Sequence, residues 1–358
     1  WRTEQSGLET RGSGMAGAKG YRSYRGRGTK RKILLALLLC LVILAAVMVI
    51  LVQEHVVFDA NGTPRLEIPW QKEEPEQTPE LDLVIEEPEA PWQVRAYQVT
   101  TAPLTVEGWE QARMKVLASS DSSVALAADA ALTMKDGSGR VYYDSQAAVP
   151  GAVETAEDTA EALAMVMRGG TEGAARAIAR LSCLLDPIAA KADVEGMGLK
   201  NTGGYIFYDG NNENWLDPSK EKTQEYLASL AVECAELGFD EILLTDFSFP
   251  TQGKLDKIAY PEIGKEASLQ ACLSAIRTAL DEAGLQDVLL SVELPADVLL
   301  AGADETVSLP ADTVDRVYAV TTEDQVEALS AAAEAAGTVF VPELSEPPAK
   351  VQNYLLLP

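Results

Sequence analysis

Residues 222–250 read KTQEYLASLAVECAELGFDEILLTDFSFP and contain the alternation that decides the fold. The first part, Lys222–Leu237, is an amphipathic stretch and predicts a helix. The second part, Glu241–Phe247, is a short run that is apolar on both faces, which is typical of a strand in a parallel sheet covered by helices. A helix followed by such a strand is the repeating unit of α/β folds.

The same alternation extends outward over the region from Trp92 to the end of the chain. Eight strands in about 265 residues match a TIM (β/α)8-like barrel in length and count, and a doubly wound open sheet is the alternative. The chain has no glycine-rich dinucleotide or phosphate loop, so we expect no cofactor. The strands are predicted at Val94–Thr100, Ala130–Lys135, Ala174–Leu181, Glu241–Phe247, Val288–Glu293, Val314–Val320, Thr338–Val341 and Tyr354–Leu357, and the helices at Glu107–Ala118, Ala156–Met167, Lys222–Leu237, Ala267–Ala283 and Asp324–Ala335.

A membrane segment precedes this domain. Residues 33–52, ILLALLLCLVILAAVMVILV, form a run of 20 residues without a charge. At about 1.5 Å per residue, a helix of this length spans a hydrocarbon core of roughly 30 Å. A cleaved signal peptide would have a shorter apolar core and a small-residue cleavage site, so we interpret the run as a retained anchor. Lys30, Arg31 and Lys32 precede it, which predicts a cytoplasmic N-terminus and an extracytoplasmic main domain.

These features predict five parts of the chain. The dipeptide Asn61-Gly62 suits a tight hairpin turn, and residues 71–91 are too acidic and proline-rich to bury a core. Met15 is the expected start of translation. The parts are a basic cytoplasmic segment (1–32), a transmembrane helix (33–52), a juxtamembrane hairpin (53–70), an acidic Pro-rich stalk (71–91) and the barrel domain (92–358).

Charge is divided unevenly along the chain, which has 29 basic and 55 acidic residues. Residues 1–32 hold nine basic and two acidic residues, which leaves 20 basic and 53 acidic residues in the remainder. Such a surface repels nucleic acids and anionic lipids and favours neutral or cationic partners. We therefore expect no nucleic-acid partner.

Cysteine and histidine usage excludes several kinds of site. The cysteines are single and widely spaced, which fits neither a disulfide framework nor a zinc site and favours buried free thiols in the domain. His55 is the only histidine, so the domain has no histidine-based metal site or catalytic triad, and we expect no bound metal. The four cysteines are Cys40, Cys183, Cys234 and Cys272.

An excursion rich in glycine, asparagine and aromatic residues separates the third predicted strand from the next long helix. It covers residues 189–219 and includes GGYIFYDGNNENWLDPS (203–219). Barrel enzymes build their sites from loops that follow strands, and aromatic rings and amides suit sugar binding. Trp215 and Asp217 could form one wall of a sugar cleft. Alternatively the excursion buries Trp215, and Asp217 is the N-cap of the following helix.

Four blocks of the sequence resemble a known family. They are MKDGSGRVYYDS (134–145), AIARLSCLLDP (177–187), NWLDPS (214–219) and ELGFDEILLTDFSFP (236–250). They resemble the bacterial, often membrane-anchored glycoside hydrolases with an amylase-like TIM barrel, over about residues 92–300. The resemblance implies this barrel and action on glycans. The matching positions are Lys135, Asp136, Asp144, Arg180, Asp186, Trp215, Asp217, Glu241, Phe249 and Pro250.

The sequence departs from the family pattern at two strand ends. Thr133 and Thr245 stand where the family has acids, and Ser248 stands where it has an arginine. Threonine cannot ionise, and serine cannot make a bidentate contact to a carboxylate. These departures weaken the prediction of catalysis but leave the prediction of fold intact.

Two acids remain as catalytic candidates. Asp246 and Glu293 lie at the C-terminal ends of the fourth and fifth predicted strands. In amylase-like barrels these two strand ends carry the nucleophile and the acid. We therefore assign Asp246 as the nucleophile and Glu293 as the acid. Asp246 is one residue past the family's acid at Thr245. Successive strand residues point to opposite faces, so Asp246 would leave the site unless a local bulge restored it.

The expected substrate contacts are drawn from strand ends and from the matching positions. Arg180 lies inside an apolar strand and must pair with something, either a ligand or one of the acids Asp186 and Glu241. Glu343 is a third strand-end carboxylate. The complete predicted set of substrate-binding residues is Arg180, Trp215, Asp217, Asp136 and Glu343.

The sequence thus supports three functions. The first is a single-pass membrane protein whose external domain is a glycoside hydrolase acting on cell-envelope or environmental polysaccharide. The second is a catalytically inactive barrel that binds glycan or an envelope protein. The third is a structural ectodomain without a ligand.

Overall fold

The computed structural model describes residues 29–58, 64–66, 92–117, 129–169, 175–301 and 313–358. The chain divides into two units, residues 1–89 and residues 90–358. The predicted stalk and the basic segment before residue 29 lie outside the described residues, so both stay predictions.

The N-terminal unit consists of one long helix and a strand pair. Helix α1 (Thr29–His55) includes Arg31–Ile50, which has a mean hydropathy of 3.5 and is long and apolar enough to cross a membrane. A signal sequence meets the same criteria. Strand β1 (Val56–Phe58) pairs antiparallel with β2 (Pro64–Leu66), and the Asn61-Gly62 turn that would join them lies outside the described residues.

The second unit is a closed barrel in which eight parallel strands of the described chain follow one another in sequence order, with β10 pairing between β9 and β3. This confirms the predicted TIM-like barrel and excludes the open sheet. The strands are β3 (Arg95–Val99), β4 (Asp129–Lys135), β5 (Ala177–Ser182), β6 (Glu241–Thr245), β7 (Leu289–Glu293), β8 (Arg316–Val320), β9 (Val339–Leu344) and β10 (Tyr354–Leu356). The helices are α2 (Val106–Leu117), α3 (Thr159–Gly169), α4 (Pro187–Ala192), α5 (Glu221–Glu236), α6 (Lys265–Glu282), α7 (Ala296–Ala301) and α8 (Val326–Ala335), with 3-10 turns at Leu255–Lys257 and Glu323–Gln325.

Two strand ends differ from the prediction in ways that affect the site. Strand β6 stops at Thr245, two residues early, because Asp246 adopts a left-handed backbone with φ of 49°. Strand β9 continues past Val341 to Leu344 and so carries Glu343 into the sheet. The short helices α4 and α7 have no counterpart in the prediction.

The barrel interior is a separate buried cluster in which small side chains make room for a large one. Ala96 and Ala131 share it with Tyr318, which is fully buried. Its other members are Val94, Ile178, Leu243, Val341 and Leu355. Since side chains alternate along a strand, residues two positions further along also face inward at the C-terminal ends of the strands, which we call the mouth of the barrel.

The opposite end, the base of the barrel, is closed by a cluster that we call the base cluster: Trp92, Glu241, Ser291 and Arg316. Arg316 Nη1 donates to Glu241 Oε2 at 2.7 Å, and Nη2 donates to the Trp92 carbonyl at 2.6 Å. Ser291 Oγ donates to the other Glu241 oxygen. The Arg316 guanidinium also lies 4.4 Å from the centre of the Trp92 ring. Every polar atom of the Glu241 carboxylate therefore has a partner inside the protein.

The three cysteines of the barrel unit follow the prediction. Cys183, Cys234 and Cys272 are buried and form no disulfide. Burial raises the pKa of each thiol, so they are unreactive at neutral pH.

Candidate active site

The mouth of the barrel contains a cavity of about 470 Å³ that both predicted catalytic acids line. Asp246 follows β6 and Glu293 ends β7, so the parallel arrangement brings the two carboxylates to the same end of the sheet. Phe249, Tyr260 and Lys265 also line the cavity. The cavity thus combines two acids with an aromatic wall.

The backbone conformation of Asp246 determines the direction of its side chain. An ordinary strand residue after the inward Thr245 would face outward. The left-handed conformation of Asp246, with φ of 49°, turns its side chain back to the mouth. There its Oδ2 accepts a hydrogen bond of 2.6 Å from Ser182 Oγ. A change of backbone conformation at one residue therefore does what a bulge would have done.

Below the cavity, one arginine joins two strand-end acids in what we call the mouth cluster: Arg180, Glu293 and Glu343. Arg180 Nη2 donates to Glu293 Oε2 at 2.6 Å, and Nη1 donates to Glu343 Oε1 at 2.5 Å. The exposed fractions of the side chains are 11% for Arg180, 26% for Glu293 and 1% for Glu343. Glu343 Oε2 is buried and has no hydrogen-bond partner among the described residues.

This arrangement changes the protonation of Glu293. Burial raises its pKa, the neighbouring Glu343 and Asp246 raise it further, and Arg180 lowers it, with a net result of about 7. A carboxylic acid with such a pKa holds its proton at near-neutral pH and can donate it. Asp246 is exposed to solvent at the cavity. One exposed carboxylate and one protonated carboxylic acid are the pair that glycoside hydrolysis requires.

The predicted partners of Arg180 are corrected by the structure. Asp186 pairs instead with Lys135 at 3.0 Å, and both of their side chains are fully buried. Glu241 belongs to the base cluster with Arg316. Both acids are paired with other basic residues, so Arg180 has its ion pairs in the mouth cluster instead.

Trp215 and Asp217 do not line this cavity. Trp215 is 8% exposed, and its Nε1 donates to Asp209 Oδ2 at 3.0 Å within the excursion. Asp217 accepts hydrogen bonds from the amide and hydroxyl of Ser219, and helix α5 starts later, at Glu221. Asp217 is therefore not its N-cap, and neither residue gains support as a sugar contact from the geometry.

Asp136 is likewise occupied by its own loop. Its Oδ1 accepts from Ser138 and from the Arg140 amide, and Oδ2 accepts from Tyr142 Oη at 2.8 Å. Burial would raise the pKa of Asp136, but these hydrogen bonds outweigh it and lower the pKa. Its role in substrate binding stays a prediction.

Three residues of the site were not predicted from the sequence. Ser182 lies two positions beyond Arg180 on β5, so the inward alternation could have found it. Tyr260 and Lys265 come from the long connection after β6 and the first turn of α6, where no periodic pattern points to a cavity.

Thr133 and Thr245, which the resemblance places at the positions of acids, face the mouth. Thr133 on β4 pairs with Arg180 on β5, and Thr245 on β6 pairs with Ser182. Both are half-buried. Their positions are thus part of the mouth, but they supply hydroxyls instead of charges.

No group of three or more histidine, cysteine or acidic side chains suited to a metal ion occurs in the described parts of the chain.

A closed barrel of eight parallel strands with helices between them defines a TIM-like barrel. Residues 108–310 match the family described as "Putative glycosyl hydrolase domain". This match extends over more than half of the chain, and the protein belongs to that family.

Solved structures of similar fold come from several bacteria. A hypothetical protein from Ruminiclostridium thermocellum is 25% identical, with 55% of this chain and 96% of that chain covered and a TM-score of 0.41. The glycoside hydrolase domain of PgaB (BpsB) from Bordetella bronchiseptica is 14% identical, with 74% and 93% covered and a TM-score of 0.48. The α-galactosidase TtGalA from Thermus thermophilus is 14% identical, with 70% and 47% covered and a TM-score of 0.40. No curated protein matches the chain.

Proposed function

We propose that the protein is a membrane-anchored glycoside hydrolase whose barrel acts on polysaccharide outside the cytoplasmic membrane. The observation that carries the proposal is the pair of acids Asp246 and Glu293 at one cavity, with the pKa of Glu293 raised to about 7. Membership in the family of glycosyl hydrolase domains supports the same reaction class.

In the proposed reaction, Glu293 donates its proton to the glycosidic oxygen as the bond to the anomeric carbon breaks. Asp246 activates a water that attacks that carbon, or attacks it directly; in the second case a water, deprotonated by Glu293, then hydrolyses the glycosyl ester and restores both acids. The hydroxyl of Ser182 holds the Asp246 carboxylate toward the cavity. Arg180 keeps Glu293 in position and compensates the charge that Glu293 acquires after it loses the proton.

A second candidate function is binding of glycan without hydrolysis. The observation that favours it is the uncharged pair Thr133 and Thr245 at strand positions where the family has acids. In that case the cavity would still bind a sugar, and Asp246 and Glu293 would accept hydrogen bonds from its hydroxyl groups.

The decisive experiment measures release of reducing ends from a polysaccharide panel by the full chain in detergent. We expect Asp246→Asn and Glu293→Gln each to reduce the rate by at least about a hundredfold, because each removes a group that reacts in the proposed mechanism. Asp256→Asn is the matched control, since Asp256 is exposed and does not line the cavity. Wild-type activity that survives both changes would show that the chemistry lies elsewhere.

A second measurement separates the two acids. Substrates with a dinitrophenyl leaving group need little protonation, so we expect Glu293→Gln to retain much of its activity on them while Asp246→Asn does not. If wild type binds glycan but releases no sugar from any member of the panel, the non-hydrolytic function is the correct one.

The membrane orientation is a separate part of the proposal. It is supported by Lys30, Arg31 and Lys32 before the apolar run and by Gln53 and Glu54 after it. We expect protease added to intact cells to remove residues 53–358 while a cytoplasmic protein of the same cells stays intact. Protection of these residues until the membrane is opened would contradict the orientation, and recovery of a chain cleaved near residue 53 would identify a signal sequence.

A further inference from the structure

One cation lines the cavity that contains Asp246 and Glu293. Lys265 is the first residue of α6, its side chain is exposed, and it contributes to the cavity wall. Among the described residues, no carboxylate lies within ion-pair distance of its ammonium group. In a chain with 55 acidic and 29 basic residues, a lysine without an acidic partner at the proposed active site requires an explanation.

Lys265 is held by an aromatic ring. Its Nζ lies 4.1 Å from the centre of the Tyr260 ring, in the geometry of a cation–π contact. Tyr260 is in turn packed against Phe249 edge-on, with ring centres 5.5 Å apart and an angle of 68° between the rings. All three side chains line the cavity, so the two aromatic residues orient the ammonium group at its wall.

This arrangement also limits what Tyr260 can do. A ring that stacks on a sugar must offer a free face, and here the ammonium group covers one face of Tyr260. The wall therefore presents a cation to a ligand beside its aromatic rings. A neutral sugar has no group that complements a positive charge more strongly than water does.

We propose that Lys265 forms a subsite for a negatively charged substituent of the glycan, a carboxylate or a sulfate carried by a sugar ring. This inference rests on the proposed function, because it assigns a substrate class to the same cavity. Lys265 binds the anionic group as a charge-assisted hydrogen-bond donor, and Tyr260 positions it.

The acidity of the remaining surface does not oppose this assignment at contact distance. Charges more than about 8 Å apart are largely screened at physiological ionic strength, whereas the ammonium group acts on a group that touches it. Local charge at the cavity wall therefore decides which glycan binds there, and net charge affects chiefly the rate of approach.

The experiment compares ligands that differ only in charge. Oligomers of galacturonic acid are matched with the same oligomers after methyl esterification, and sulfated galactose oligomers with their desulfated forms. Binding is measured by calorimetry on the full chain carrying Glu293→Gln, and hydrolysis is measured on the otherwise unchanged protein. At least one of the two anionic ligands should bind more tightly than its neutral counterpart, and we call these two ligands the responding pair. We expect Lys265→Met to weaken binding of its anionic member about tenfold and binding of its neutral member less than about twofold.

Three further variants make the test specific. Lys254→Met removes the same charge from an exposed position outside the cavity wall and should leave both members of each pair unaffected. Tyr260→Phe keeps the ring and should preserve the preference for the anionic member, whereas Tyr260→Leu removes the ring and should reduce it. Thermal melting of each variant checks that the barrel is intact.

The outcomes separate this inference from the proposed function. Selective loss of the anionic ligand in Lys265→Met supports the subsite, and the pair that responds identifies carboxylate or sulfate. Equal weakening of charged and neutral ligands, or no weakening, overturns it. Hydrolysis of neutral polysaccharide with no binding of any anionic oligomer overturns the subsite alone. Absence of binding and hydrolysis for every glycan overturns both.

Discussion

The two ends of the barrel each contain an arginine held by buried acid, yet the two clusters have different surroundings. In the base cluster, both oxygens of Glu241 have partners, and Arg316 also binds the Trp92 carbonyl. In the mouth cluster, Arg180 divides its guanidinium between two acids, Glu343 keeps an unpartnered oxygen, and Glu293 reaches the cavity. Both oxygens of the Glu241 carboxylate are thus paired, whereas one oxygen of the Glu343 carboxylate is not.

This difference in the pairing of the carboxylate oxygens separates structural charges from functional charges within one fold. A buried ion pair whose atoms are all satisfied specifies packing and does not need a ligand. An arginine shared by two acids leaves one negative charge in excess, and a proton on Glu293 removes it. The mouth cluster is therefore where protonation changes near neutral pH, at the end of the barrel where TIM-barrel enzymes place their sites.

The largest expected effect concerns the base. Arg316→Met removes the partner of a fully buried carboxylate, so we expect it to reduce the free energy of unfolding by about 3–5 kcal/mol. Arg180→Met should cost less, because the two acids that it leaves, Glu293 and the buried Glu343, can share a proton, and Glu293 is partly solvated. Urea denaturation of both variants measures the two losses. Equal losses would mean that the mouth cluster is as structural as the base cluster.

The next effect concerns the pH dependence of activity. Glu293 must be protonated to act as an acid, so we expect kcat/KM to fall as the pH rises through about 7. Glu343→Gln removes the adjacent negative charge and leaves Arg180 to Glu293 alone. The pKa of Glu293 should then decrease, and the high-pH limb of the profile should move down by about one unit.

Stability follows the same titration with a defined sign. The pKa of Glu293 is raised from 4.5 to about 7 in the folded protein, so between these values the folded state binds a proton that the unfolded state has lost. The free energy of unfolding therefore decreases as the pH rises through this window. Glu343→Gln should reduce that decrease. The control, Glu346→Gln, removes an exposed charge three residues away and should change neither profile.

Much of this architecture could be predicted from local pattern, and the parts that could not be predicted have identifiable causes. The barrel follows from apolar runs and amphipathic stretches, because both are periodic. Asp246 and Glu293 follow from their places at strand ends. The side chain of Asp246 reaches the mouth because the backbone of this residue is left-handed. That conformation could not be predicted, because a single residue leaves no periodic signal in the sequence.

The pairing of buried charges was also beyond the sequence. Arg180 needed an acid, but Glu343 is 163 residues further along the chain, and only the closure of the barrel brings the two together. The excursion shows a different limit of the sequence. Its aromatic and amide content allowed either a sugar-binding wall or a buried Trp215, and in the structure Trp215 donates a hydrogen bond to Asp209 within the excursion. Composition indicates which groups are present and not which way they face.

A smaller effect tests how the mouth of the barrel orients Asp246, the proposed nucleophile. Ser182→Ala removes the hydrogen bond of 2.6 Å to Asp246 Oδ2, so we expect kcat to fall about tenfold with KM little changed. Ser182→Thr keeps the hydroxyl group and should recover most of the rate. A fall in thermal stability without a change in kcat would show that Ser182 supports the strand alone.

The smallest effect distinguishes the excursion from the cavity wall. Trp215→Phe keeps most of the buried ring but removes the hydrogen bond from Nε1 to Asp209 Oδ2. We expect a loss of about 1–2 kcal/mol in the free energy of unfolding and no change in KM for any glycan, because Trp215 does not line the cavity. A sugar platform would behave in the opposite way, since losing part of the indole would raise KM and leave the folded state as stable as before. Urea denaturation and KM measured on the same preparations give the two quantities.

An increase in KM with unchanged stability would show instead that Trp215 contacts the substrate and that part of the glycan lies over the excursion.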